Sequence, residues 1–189
     1  FMSSKGQYVL CMDNDAEIAP TYIINAITIF EGWSKGKNFF EDVQMVPEIE
    51  QYCKDGYKLG CLTPYMIQQD LKTKDLKPGL FREDKFDTNI QFHGASCMFL
   101  REAGDAVGWY NPDYYLYHNE VDMGARLFKK GYLTMYCPML TSVHHISPTT
   151  RVRPRLLYYG IRHYYWFIWE HLPMSLALYH TAMWVCWSI

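Results

Sequence analysis

Two aspartates stand one residue apart, directly after a run of apolar residues near the start of the chain. Asp13 and Asp15 flank Asn14, and the residues before them, 8–12, read Tyr-Val-Leu-Cys-Met. A buried strand there delivers both carboxylates at its carboxyl end, the edge at which α/β sheets bind ligands. Side chains two residues apart in an extended backbone point the same way, so they could share a hard cation such as Mg²⁺ or Mn²⁺. The simpler interpretation is a helix cap beside a solvated acid.

Four more patterns follow in order along the chain. Residues 94–101 read Gly-Ala-Ser-Cys-Met-Phe-Leu-Arg, and residues 108–110 read Gly-Trp-Tyr. Residues 119–126 read Asn-Glu-Val-Asp-Met-Gly-Ala-Arg, and residues 143–145 read Val-His-His. The order resembles the second half of the catalytic domain of family-2 glycosyltransferases, GT-A enzymes that include bacterial rhamnosyl- and galactosyltransferases. The resemblance covers residues 7–172 and implies an enzyme that transfers a sugar.

The resemblance implies a divalent cation, Mn²⁺ or Mg²⁺, that stabilises the charge developing on the diphosphate of a nucleotide-sugar donor. Asp13 and Asp15 match its acidic ligands. His144 matches the third ligand, with His145 as the alternative. A backbone hydrogen bond at a strand end is the other interpretation of His144.

An inverting transfer needs a general base that removes the proton of the acceptor hydroxyl. Glu120 occupies the motif position of that base, at a helix N-terminus where the helix dipole favours the ionised carboxylate. Complementing the dipole is its structural alternative. Asp122 competes for the role, but Arg126 lies one turn further along the helix, which predicts a structural ion pair.

The remaining predicted site residues are expected to contact the donor or the acceptor. They are Asn14, Gly94, Ala95, Ser96, Trp109 and Asn119. Small side chains at 94–96 would let the backbone approach a sugar or phosphate, and Gly94 is expected to need a positive φ. Trp109 could stack on the acceptor, and a core position is an equal alternative.

The chain departs from the family pattern in two ways. Asn119-Glu120 stands where the family has Glu-Asp, so the carboxylate sits on a longer arm. The family's domain also begins with strands and loops that hold the nucleotide base. The resemblance therefore implies that residues 1–150 are the C-terminal part of a GT-A domain whose nucleotide-binding half lies outside this chain. The expected fold class is α/β, a partial GT-A fold in which helices flank a Rossmann-like mixed sheet.

Local patterns predict the elements that position these residues. Strands are expected at 7–12, 57–65, 90–92 and 133–136, and helices at 20–30 and 120–130. The first helix should bury Ile23, Ile27 and Phe30, and the second Val121, Ala125 and Phe128. Pro64 is expected to close the second strand, and Gly131 to end the second helix. Residues 32–42 and 69–89 are predicted surface loops.

The C-terminal region, residues 151–189, is predicted to be helical and to lie against a membrane. Residues 151–169 carry four Arg, no Asp or Glu and many aromatic side chains, a mixture typical of the headgroup level. Residues 174–189 carry no Asp, Glu, Lys or Arg, but the stretch is shorter than the ~20 residues needed to span a bilayer. Ordinary packing on the sheet is the alternative for both segments.

The net charge and the cysteine spacing indicate which binding partners and which cellular compartment to expect. A net charge of −2 gives no basis for nucleic acid binding. The 6 cysteines include no C-x-x-C pair, which favours reduced thiols and a cytoplasmic protein. Together with the C-terminal region, this predicts a cytoplasmic protein at the inner face of the cell membrane. The expected partners are a nucleotide-sugar donor, a glycan or lipid-linked acceptor and a membrane surface.

Two other functions stay open at this point. The Asn119-Glu120 departure fits a non-catalytic module that binds a glycan or a protein partner. A metal-dependent hydrolase is disfavoured because the sequence offers no second carboxylate pair for a two-metal site.

Overall fold

The computed structural model describes residues 3–34, 47–78, 86–88, 90–146 and 153–187. The described elements are β1 (Tyr8–Met12), β2 (Ala16–Ile18), α1 (Tyr22–Ser34), α2 (Pro47–Lys54), β3 (Lys58–Asp70), β4 (Leu76–Pro78), β5 (Asp87–Thr88), β6 (Ser96–Leu100), α3 (Arg101–Val107), α4 (Asn119–Lys129), β7 (Tyr132–Ile146), α5 (Arg153–His171) and α6 (Met174–Trp187).

The seven strands form one mixed sheet. Its order is β1-β6-β3-β7-β2, with β4 added to β3 and β5 added to β7. Strands β3 and β7 run parallel, while β1–β6, β3–β6 and β2–β7 are antiparallel pairs. The predicted α/β class, with a mixed sheet flanked by helices, is confirmed.

The two central strands are longer than the sequence predicts. Strand β3 continues beyond Pro64 to Asp70, and β7 continues beyond Tyr136 to Ile146. Their register jumps immediately after the pair Pro64–Cys137, where Tyr65 pairs with Thr141. A proline has no N–H for the ladder, so it is tolerated at such an irregularity. The prediction that Pro64 ends the strand was wrong.

The predicted loop at 69–89 is partly a hairpin, because β3 extends to Asp70 and turns back into β4. Residues 79–85 and 89 lie outside the described residues. The predicted strand at 90–92 was wrong. Instead, α4 packs against this segment, and a Cβ built on Gly124 would lie 1.7 Å from the Ile90 carbonyl oxygen. The predicted loop at 32–42 begins inside α1, and residues 35–46 are not described.

Helices cover both faces of the sheet, because successive strand residues point to opposite sides. One core joins α1 to Leu62 and Met98, and the other joins α3 and α4 to Cys61 and Phe99. In α1 the buried side chains are Tyr22, Ala26, Ile29 and Phe30. The predicted stripe was wrong at Ile23, which is 46% exposed, whereas Phe30 is buried and Ile27 packs against the core as predicted.

Helix α4 buries Ala125 as predicted, but the other residues on its buried face differ from the predicted ones. Met123 and Leu127 are fully buried, together with Asp122, whereas Val121 and Phe128 are only partly buried. Phe128 stacks on Tyr57 at the edge of the sheet. Gly131 follows the helix with a φ of +81°, as the predicted helix end requires.

Helices α5 and α6 form the predicted C-terminal pair, and contacts from α5 tie it to the sheet unit. Leu157, Met174, Leu178 and Val185 each expose more than half of their surface. Among the described residues, none of the helices combines the length and apolar character that crossing a bilayer requires. All 6 cysteines are free of disulfides.

Candidate functional site

The turn after β1 carries both aspartates. The Asp13 backbone N–H donates to the Ala95 carbonyl at 2.9 Å, which extends the β1–β6 pairing by one residue. The Ala16 N–H then donates to the Asp13 carbonyl at 3.2 Å, and the chain enters β2. Asn14 is exposed in this turn. The short turn therefore holds the two carboxylates at the edge of the sheet.

Strand β2 explains why a histidine from the far end of the chain joins them. Ala16 pairs with His144 in the β2–β7 ladder, which places His144 beside Asp15. The Asp15 Oδ1 atom lies 3.3 Å from the His144 Nε2 atom. One ligand atom each from Asp13, Asp15 and His144 lie within 4.8 Å of one another. The structure thus brings the three predicted ligands together.

Two carboxylates and one imidazole are a donor set that fits Mn²⁺ and other divalent cations with oxygen and nitrogen ligands. Asp13 and Asp15 are exposed and His144 is partly buried, so a cation held there could also bind oxygens from a ligand. His145 does not join the group. Its Nε2 atom lies 3.0 Å from Glu17 Oε1, and its backbone N–H donates to the Asp15 carbonyl.

A cavity of about 890 Å³ connects this turn to the first turn of α4. Asp13, Gly94, Asn119 and Glu120 all line it. We call it the polar cavity. The predicted base and one predicted metal ligand therefore face the same space, although they are far apart in sequence.

Glu120 is largely buried in the wall of the polar cavity. Burial raises the pKa of the Glu120 carboxyl above its ordinary value, and the negative charge of Asp13 raises it further. Hydrogen bonds from its own backbone N–H and from the Asn119 side chain act in the opposite direction. The helix N-terminus therefore favours the ionised form, as expected, through its backbone N–H, but burial outweighs this effect and the net pKa is raised.

Gly94 makes room for Glu120. A Cβ built on Gly94 would lie 2.7 Å from Glu120 Oε1, closer than van der Waals contact allows. Gly94 is not among the glycines with a positive φ, so that expectation was wrong. Because Gly94 has no side chain, the Glu120 carboxylate can lie directly against its backbone.

Ala95 and Ser96 lie deeper than predicted. Ala95 is buried. The Ser96 hydroxyl is fully buried and donates to the Ser142 Oγ atom at 2.7 Å, while the Ser96 carbonyl accepts from the Tyr22 hydroxyl. We correct the expectation for Ser96: its side chain pairs inside the sheet and does not face the cavity.

Trp109 takes the core position that was its alternative. It is 9% exposed, its Nε1–H donates to Asp105 Oδ1 at 2.7 Å, and its ring packs edge-on against Phe99. A Cβ at Gly104 would lie 2.5 Å from the indole, so the indole can pack here only because residue 104 is a glycine. We correct the prediction that Trp109 stacks on the acceptor, since Trp109 is not among the residues that line the polar cavity.

Asp122 is the structural carboxylate that the sequence predicts. It accepts from Arg126 Nη2 at 2.6 Å, and His171 Nε2 lies 2.8 Å from its second oxygen. Burial alone raises the pKa of Asp122, but the hydrogen bonds from His171 and Arg126 outweigh it and hold the pKa below its ordinary value. This buried cluster fastens the end of α5 to the start of α4.

Other cavity residues were missed by the sequence interpretation. Tyr115 and Tyr117 line the polar cavity, and so does Arg155 from α5. Arg155 Nη2 donates to the Tyr115 hydroxyl at 2.8 Å, and its guanidinium lies over the Tyr115 ring. The run of tyrosines at 114–117 was visible in the sequence, but nothing there indicates that α5 folds back onto it.

The loop before α4 has a strained backbone. Tyr117 and His118 both have a φ near +60°, a conformation that costs ~1–3 kcal/mol per residue and clusters at functional sites. The buried His163 of α5 holds this loop, with its Nδ1 atom 2.6 Å from the Leu116 carbonyl and 3.1 Å from the Tyr117 carbonyl. A carbonyl only accepts, so the Nδ1 atom carries the proton.

Comparisons with known proteins bear on this site. No protein-family model matches the chain. A segment of 74 residues, 37% of this chain, is 28% identical to N-acetylglucosaminyl-diphospho-decaprenol L-rhamnosyltransferase from two strains of Mycobacterium tuberculosis. The chain resembles a glycosyltransferase. The resemblance predicted from the motifs is thereby confirmed, although the match covers only 24% of the length of these curated relatives.

A solved structure of GalNAc-T7 with UDP, GalNAc and Mn²⁺ is similar to 77% of this chain, and the matched part is 28% of that structure's chain. The TM-score is 0.49 and the sequence identity is 11%. That likeness is below the level from which we infer a shared function.

Proposed function

We propose that this chain supplies the acceptor side and the cation ligands of a metal-dependent glycosyltransferase that uses a nucleotide-sugar donor. The observation that carries the proposal is the polar cavity, which is lined by Asp13 at one end and by Glu120 at the other. The sequence similarity to a rhamnosyltransferase supports the same reaction class.

Asp13, Asp15 and His144 would hold the divalent cation, Mn²⁺ or Mg²⁺. When bound, that cation supplies positive charge for the diphosphate that leaves with the nucleotide. The three side chains keep their positions through the β2–β7 pairing and the Asp13–Ala95 hydrogen bond. Because Asp13 also raises the pKa of Glu120, neutralising its charge would favour the ionised glutamate that a base requires.

Glu120 would act as the general base of an inverting transfer. Its carboxylate takes the proton of the acceptor hydroxyl, the hydroxyl oxygen forms a bond to the anomeric carbon, and the bond to the diphosphate oxygen breaks. The electron pair of that bond leaves with the nucleotide diphosphate, so the configuration of the anomeric carbon inverts. The Asn119 side chain donates a hydrogen bond to this carboxylate, and Gly94 leaves the space that it occupies.

The acceptor is proposed to be a glycan or lipid-linked sugar. The name of the mycobacterial relative describes a lipid-diphosphate acceptor, and the exposed apolar side chains of α5 and α6 fit such a substrate. Attachment to the inner face of the cell membrane stays a prediction, as does the division at residue 150.

The test is a screen of nucleotide sugars with the full-length natural protein and Mn²⁺, which measures release of the nucleotide diphosphate. We expect release with one donor class and its loss when the metal is chelated. A folded protein that binds a glycan without releasing nucleotide from any donor would instead support the non-catalytic module.

A further inference from the structure

A second cavity, of about 770 Å³, lies between α5 and α6. Its lining is almost wholly apolar and includes Leu156, Leu157, Ile161, Tyr164 and Trp184. Residues 157, 161 and 164 recur at helical spacing, so α5 turns one face to this space. We call it the apolar groove.

The apolar groove adjoins the polar cavity. Leu156 lines both spaces, while its neighbour Arg155 lines only the polar cavity and Leu157 only the apolar groove. Successive residues of an α-helix point ~100° apart, so these three side chains pass from one space to the other around α5. His118, at the start of α4, also lines the groove and immediately precedes the Asn119-Glu120 pair.

Leu156 marks the border between the two spaces, and an oriented cation lies on the polar-cavity side of it. The Arg155 guanidinium is held by the Tyr115 hydroxyl at 2.8 Å, and its carbon lies 5.5 Å from the centre of the Tyr115 ring. Guanidinium groups bind phosphate oxygens with charge-assisted hydrogen bonds. A ligand that crosses this border would therefore meet a carboxylate and a guanidinium in the polar cavity and hydrocarbon in the apolar groove.

We propose that the apolar groove holds the hydrocarbon chain of a lipid-diphosphate-sugar acceptor, and that Arg155 contacts its diphosphate while its sugar hydroxyl reaches Glu120. This inference rests on the proposed function and specifies its acceptor. The groups that line the two adjoining spaces match the groups of such a molecule: a carboxylate and a guanidinium in one, and hydrocarbon in the other. A single chain suits a concave groove, whereas a flat bilayer surface would contact the convex outer faces of α5 and α6.

The test measures binding of farnesyl diphosphate, a short soluble probe with one chain and one diphosphate, to the full-length natural protein by titration calorimetry. Leu157→Glu introduces a charge into the groove at a side chain that is 64% exposed, so the fold should tolerate it. Leu178→Glu is the matched control, because Leu178 is 53% exposed on α6 and does not line the groove. We expect Leu157→Glu to weaken binding about tenfold or more, and Leu178→Glu to leave it within about twofold.

Arg155→Gln tests the contact at the border. It should weaken farnesyl diphosphate about tenfold and leave the binding of farnesol, which has no diphosphate, unchanged. Equal effects of Leu157→Glu and Leu178→Glu on binding to phosphatidylcholine vesicles, with no effect of either on farnesyl diphosphate, would overturn the proposal in favour of a membrane-facing surface.

The outcome is separable from that of the proposed function, because probe binding needs no turnover. If nucleotide diphosphate is released from a donor but Leu157→Glu does not change farnesyl diphosphate binding, the groove assignment is overturned. Glycosyl transfer is then unaffected. Groove-dependent binding without release from any donor would uphold the groove and overturn the transfer.

Discussion

The first turn of helix α4 carries two carboxylates that lie on different faces of the helix. Glu120 faces the polar cavity, where burial and the charge of Asp13 raise its pKa. Asp122 faces α5, where burial is outweighed by hydrogen bonds from His171 and Arg126, which lower its pKa. Asp122 is ionised and fixed by its partners, as a scaffold requires. The raised pKa of Glu120 makes its carboxylate a stronger proton acceptor, as a general base requires.

Among the variants that test this difference between Glu120 and Asp122, Glu120→Gln should have the largest effect. The amide keeps the shape of the side chain but cannot accept the acceptor's proton, so we expect kcat to fall by about 10²–10⁴-fold. Steady-state kinetics on the full-length protein, with Mn²⁺ binding as the control, would measure it. Turnover close to wild type would remove Glu120 from the role of base.

Asp122→Asn should act through stability. The change leaves Arg126 and His171 without their buried anion, and breaking such a pair costs about 3 kcal/mol of the free energy of unfolding. Denaturant melts would show this against Glu102→Gln, whose solvent-exposed pair with Lys58 should contribute much less to stability. If the two variants melt alike, Asp122 does not brace α4 against α5.

Gly94→Ala should move the base without unfolding the protein. The new methyl meets the end of a flexible side chain, Glu120 Oε1, so stability should change by less than about 1 kcal/mol. Displacement of a catalytic group by a few tenths of an ångström should lower kcat by about tenfold. In the double variant with Glu120→Gln, the alanine should add no further loss. Additive losses would place the effect of Gly94 elsewhere.

The smallest effect is the pH dependence of stability. Because the pKa of Glu120 is raised on folding, the folded protein binds more protons than the unfolded chain above the ordinary glutamate pKa, and stability falls as pH rises through the folded pKa. Glu120→Gln should therefore melt at a higher temperature than wild type at pH 7, and the difference should shrink towards pH 4. A variant that is less stable at pH 7 would contradict the raised pKa.

Local patterns in the sequence predict part of this architecture well. Strand β1, the following D-x-D turn, the helix at Glu120 and its end at Gly131 rest on periodicity and turn chemistry that act within a few residues. The pairing of Asp122 with Arg126 was also visible, because four residues make one helical turn.

Features set by long-range pairing were not visible. Strand β2 is three residues long, and only its pairing with β7 brings His144 to Asp15. Burial decided the state of Glu120 and the places of Ser96 and Trp109, and no local pattern reports burial against distant elements. Arg155 looked like one more basic residue of the tail until α5 placed it in the wall of the polar cavity.

Binding of Mn²⁺, followed by its electron paramagnetic resonance signal, is the decisive measurement for the proposed cation site. We expect Asp15→Asn to weaken Mn²⁺ binding about tenfold or more, and Glu120→Gln and the exposed control Asp75→Asn to bind Mn²⁺ like wild type. Unchanged Mn²⁺ affinity in Asp15→Asn would contradict a cation site at the end of β1.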